Sequence, residues 1–81
     1  MKKVEIYSTP VCTYCNMAKE YFKANNIPFE NYDVASDIAR RQEMIEKSGQ
    51  MGVPVIVVDN KDVIIGFNKP LLAQLLDIKE A

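Results

Sequence analysis

The chain has 81 residues, 48% hydrophobic and 26% charged, a balance that excludes disorder and predicts one domain over residues 1–81. Ten basic and eleven acidic residues leave a net charge of −1, interleaved along the chain, so neither a nucleic acid nor an anionic membrane is an expected partner. Histidine is absent and cysteine occurs twice, which excludes His-based metal sites, Cys-His dyads and a four-ligand structural zinc site, and predicts no resident metal.

Val4-Glu5-Ile6-Tyr7 alternates apolar and polar before Ser8-Thr9-Pro10 breaks it, predicting a strand and a turn. From Cys12 onward, Met17, Ala18, Tyr21 and Phe22 recur at helical spacing until Asn25-Asn26 and Pro28. Residues 29–34 alternate again as a second strand. Ser36 is the expected N-cap of the next helix, with Asp37 in its first turn and Gly49 as its stop. Residues 53–58 form the densest β-branched run and predict a central strand. Asp59-Asn60-Lys61-Asp62 supplies turn chemistry before Val63-Ile64-Ile65 and the loop Gly66-Phe67-Asn68. Asn68 caps a last helix that tolerates Pro70 in its first turn and buries Leu71, Leu72, Leu75 and Leu76.

The resulting order is α/β, β-α-β-α-β-β-α. A βαβ unit pairs its strands in parallel, and the short connection between the last two strands makes an antiparallel hairpin. One mixed four-stranded sheet with helices on both faces satisfies both. The charges of the second helix, Arg40, Arg41, Glu43, Glu46 and Lys47, predict a solvated face. Met17, Met44 and Met51 are expected to fill the core.

Cys12-Thr13-Tyr14-Cys15 joins the first strand to the first helix, at the carboxyl edge of the sheet where α/β proteins place their sites. Two small apolar residues three apart would show the same spacing, but the strand–turn–helix context favours redox chemistry. Free N–H groups and the helix dipole favour a thiolate at the helix start. Cys12 is therefore the expected nucleophile, and Cys15, one turn further, the resolving thiol. Thr13 places a hydroxyl near the sulfurs. Tyr14 either covers the helix start or lines a substrate groove. Pro54 either opens its strand or makes a cis bond that leaves the Val53 backbone to an incoming peptide. The start of the chain lacks a long apolar h-region, and one close cysteine pair suits a reducing compartment, so the cytoplasm is the expected location.

Ile6-Tyr7-Ser8-Thr9-Pro10, Tyr14 within the cysteine pair, residues 41–50 and Val53-Pro54 together resemble a glutaredoxin, over nearly all of the chain. The resemblance implies a thioredoxin fold, a cis Pro54 beside the sulfurs, and dithiol–disulfide exchange by a monomeric electron carrier without a tightly bound cofactor. Its substrates would be protein disulfides or mixed disulfides, with ribonucleotide reductase among the candidates, and its reductant glutathione or a flavoprotein such as thioredoxin reductase. The sequence departs from the family at three places: Thr13 replaces a usual proline, no lysine shortly precedes Cys12, and the Gly-Gly-Asp loop of glutathione users is replaced by Gly66-Phe67-Asn68-Lys69-Pro70. That loop is closer to NrdH-type redoxins, in which Gly66 and Phe67 would face a protein partner. Related redoxins lacking the motif proline imply an alternative, an iron–sulfur cluster bridged by two chains through Cys12 and glutathione.

Overall fold

The computed structural model describes residues 2–78. Strand β1 (Val4–Ser8) leads to α1 (Thr13–Ala24), β2 (Glu30–Asp33), α2 (Ile38–Ser48), β3 (Val55–Val58), β4 (Asp62–Ile65) and α3 (Lys69–Leu75). The spatial order is β2-β1-β3-β4, with β1 parallel to β2 and antiparallel to β3, and β3 antiparallel to β4. The element order and the mixed sheet agree with the sequence reading.

Alternation along β1 and β3 divides the core between two faces. Val4, Ile6, Ile56, Val58 and Ile64 pack with Ala18 and Phe22 of α1 and Leu72 of α3. Tyr7, Val55 and Val57 pack on the other face with Val34 and with Met44 of α2. Both central strands are buried throughout, because helices cover both faces of the sheet. The hairpin turns through Asp59 and Asn60, both at positive φ, and the Lys61 amide donates to the Val58 carbonyl at 3.1 Å. Asp and Asn tolerate this left-handed geometry.

Several local expectations are corrected. Asp37, not Ser36, caps α2: its carboxylate accepts from the Arg40 amide at 3.1 Å, while Ser36 donates back to the Asp33 carbonyl. β3 begins at Val55 rather than Val53, since the cis Val53–Pro54 bond lies ahead of the ladder and proline has no N–H for it. Met44 is in the core, but Met17 and Met51 are 47% and 64% exposed. Leu71 is exposed, and of the α3 leucines only Leu72 is fully buried.

The charged face of α2 is partly sequestered. Tyr7, fully buried, donates its hydroxyl hydrogen to Glu43, which also accepts from Arg40 at 3.2 Å and pairs with Lys47 at 3.6 Å. The Arg40 guanidinium lies 3.9 Å from the Tyr32 ring centroid. Tyr32 donates to buried Glu5 at 2.8 Å and contacts Glu30 at 2.9 Å. Burial, reinforced by the carboxylate partners, holds both tyrosine hydroxyls well above their ordinary pKa.

Candidate functional site

The thiol site is built from backbone geometry. β1 ends at Ser8, and the Cys12 amide donates to the Thr9 carbonyl at 3.2 Å, closing the turn that brings the chain into α1. Cys12 is the helix N-cap, with extended φ −84° and ψ 110°, so α1 begins at Thr13, one residue later than expected. A cap residue normally offers a side-chain oxygen to the free amides of the first turn. Here a sulfur does so: the Cys15 amide donates to Cys12 Sγ at 3.1 Å.

The two cysteines are joined as a disulfide with a Cα–Cα separation of 5.2 Å. They differ sharply in access. Cys12 is partly exposed and Cys15 is completely buried under the start of α1. No carboxylate lies in the first turn of α1, so nothing there opposes the helix dipole in stabilising an anionic sulfur. Among the described residues, no group of three or more Cys, Asp or Glu side chains converges to hold a metal ion.

Tertiary structure brings most of the other expected residues together. Tyr14, Val53, Pro54, Gly66 and Phe67 line one groove of about 340 Å³ with Ile65 and Asn68. Tyr14 is 63% exposed and stands on the lining of this groove. The Gly66 amide donates to the Pro54 carbonyl at 2.8 Å, tying the loop after β4 to the cis proline. Gly66 has φ 84°, a conformation costly for residues with a Cβ. Among the described residues, no charged side chain lines this groove.

Thr13 is not part of it. It lies with Met17, Tyr21, Phe67 and Lys69 on a second groove between α1 and the start of α3. The Phe67 ring meets Tyr21 edge-on at 5.7 Å and is the wall that the two grooves share. Sequence reasoning passed over Met17 and Tyr21 as site residues, because their helical spacing matched a buried stripe equally well.

Residues 4–63 match the family model described as Glutaredoxin. A glutaredoxin-like 8.6 kDa protein of the rubredoxin operon of Clostridium pasteurianum is 46% identical over 74 residues, which cover 91% of this chain and 97% of that one. Glutaredoxin 3 of Escherichia coli strain K12 is 35% identical over 63 residues, covering 78% of this chain and 76% of its own. Among solved structures, a mutant of a thioredoxin-like protein superposes with a TM-score of 0.88 at 38% identity, covering 98% of this chain and all of the other. The fold is thioredoxin-like. Among the described residues, no helix is long and apolar enough to cross a membrane.

Proposed function

Because this chain belongs to the glutaredoxin family and carries its redox pair as Cys12 and Cys15, we propose that it is a thiol–disulfide oxidoreductase acting on protein disulfides. The observation that carries this reading is the unequal access of the two sulfurs: one is partly exposed at a helix cap, the other buried one turn away.

In the reduced protein, Cys12 thiolate attacks one sulfur of a substrate disulfide. The substrate S–S bond breaks, a Cys12–substrate disulfide forms, and the departing substrate thiolate takes a proton from water. Cys15 then loses its proton and attacks Cys12 Sγ, expelling the second substrate thiolate, which is protonated in turn. The substrate gains two electrons and two protons, and the chain becomes the disulfide. An external dithiol or flavoprotein reductase returns those electrons. A pair that cycles in this way belongs in a reducing compartment, the cytoplasm.

The apolar lining of the Pro54 groove favours a protein over glutathione as partner. Glutathione carries an amine and two carboxylates, and binding it without opposed charges leaves them poorly compensated on desolvation. The groove offers Tyr14, Ile65 and Phe67 instead, and aromatic side chains are favoured anchors for proteins. Reduction of the oxidised protein should therefore be fast with NADPH and a thioredoxin-reductase-type flavoenzyme and slow with glutathione and glutathione reductase. The reverse order would return the protein to glutathione-coupled chemistry.

A further inference from the structure

The solvent side of α1 carries an apolar side chain, Met17, among polar ones. Met17 is 47% exposed, and with half-buried Tyr21 and Phe67 it floors a groove of about 630 Å³, larger than the one over Pro54. This groove starts at Thr13, the residue bonded to Cys12, and shares the Phe67 wall with the Pro54 groove. Glu20 of α1 and Lys69 of α3 stand along its lining. Among the described residues neither belongs to an ion pair. Lys69 Nζ lies 5.4 Å from the centroid of the Tyr21 ring.

We propose that the α1–α3 groove is a second docking subsite for the protein substrate, holding a segment that flanks the disulfide under attack. This rests on the disulfide-reductase reading above. A substrate joined to Cys12 continues in both chain directions from its half-cystine. Tyr14 of the Pro54 groove and Thr13 of the α1–α3 groove both follow Cys12 in the chain, and Phe67 lines both grooves, so the two directions can each be given a groove. Its occupant is an extended segment with an apolar side chain over Met17 and Tyr21, a basic group towards Glu20 and an acidic group towards Lys69. Two or three extended residues span about 7–10 Å at about 3.3 Å each, the length of chain that the subsite would hold. A small disulfide without flanking chain has nothing to place there.

Pre-reduced protein mixed with insulin, or with the small disulfide 5,5′-dithiobis(2-nitrobenzoic acid), gives single-turnover rate constants that need no reductase. For Met17→Lys, which puts a charge on the exposed floor, the insulin rate is expected to fall about tenfold relative to the small-disulfide rate. Glu20→Gln with Lys69→Gln removes both charges and should lower the same ratio about threefold. Lys23→Ala, exposed on α1 outside the groove, should leave the ratio at the wild-type value. An unchanged ratio in both groove variants overturns the proposal, and so does sedimentation showing a wild-type dimer that Met17→Lys dissociates, which would assign the groove to a second copy. Wild-type protein that reduces neither disulfide overturns the reductase reading itself.

Discussion

The amide of Cys15 donates a hydrogen bond to the sulfur of Cys12 across 3.1 Å, so the exposed sulfur is also the one held by the helix start. Negative charge on Cys12 would strengthen that bond and interact favourably with the dipole of the 12-residue α1. The Cys12 thiol is accordingly expected to ionise below the free value of about 8.5. Iodoacetamide labelling of the reduced protein against pH measures it. A midpoint above the free value, or faster labelling of Cys15, would reverse the assignment of nucleophile.

Cys15→Ser removes the resolving attack and leaves the first one intact. Mixed disulfides with protein substrates should then accumulate on Cys12, visible as mass adducts cleared by dithiothreitol. Insulin reduction should fall by about a hundredfold or more, since without the resolving thiol each chain stalls as the mixed disulfide. Full retention of turnover would sink the two-cysteine mechanism.

Tyr7 and Glu43 give the fold a pH dependence. The hydrogen bond from the Tyr7 hydroxyl, with the Arg40 and Lys47 charges and against partial desolvation, holds the Glu43 carboxyl below its ordinary value. A carboxylate depressed in the folded state contributes stability above its unfolded pKa, near about 4.3, and loses it as pH falls through the folded pKa. Solvent reaches about a third of the side chain, which keeps the effect on the order of 1 kcal/mol. Urea unfolding should therefore show Glu43→Gln less stable than wild type at pH 7, with the gap closing towards pH 3. A gap that does not change with pH would refute the charged pairing.

Gly66 holds φ 84° while its amide bonds the Pro54 carbonyl. Space is not the constraint, because an added Cβ would meet nothing within 4 Å. The left-handed backbone alone should make Gly66→Ala cost about 1–2 kcal/mol. Asn tolerates this region better, so Gly66→Asn should lose less. Thermal unfolding of both variants checks the order, and equal losses would locate the effect elsewhere.

Local chemistry carried much of this protein on its own. Alternation in residues 4–7, the β-branched run after Pro54, glycine at position 49 and asparagine at 68 each act on their own backbone neighbourhood, and the structure has β1, β3, the Gly49 stop and the Asn68 cap there. The cysteine pair was legible for the same reason, since strand, turn and helix start are contiguous in the chain. Contiguity also misled: Ser36 and Asp37 are both good caps, and in the structure Asp37 accepts from the Arg40 amide while the Ser36 hydroxyl faces the Asp33 carbonyl. What lies across the fold was decided by tertiary structure alone. Periodicity says that a face is apolar but not what stands opposite, so Met17 read as core when it borders an open groove. Glu43 read as solvated until Tyr7, 36 positions away, reached it from β1. The Pro54 groove likewise joins residues from α1, the loop before β3 and the loop after β4, segments that meet only because β1, β3 and β4 pair in one sheet and bring their connecting loops to the end where Cys12 caps its helix.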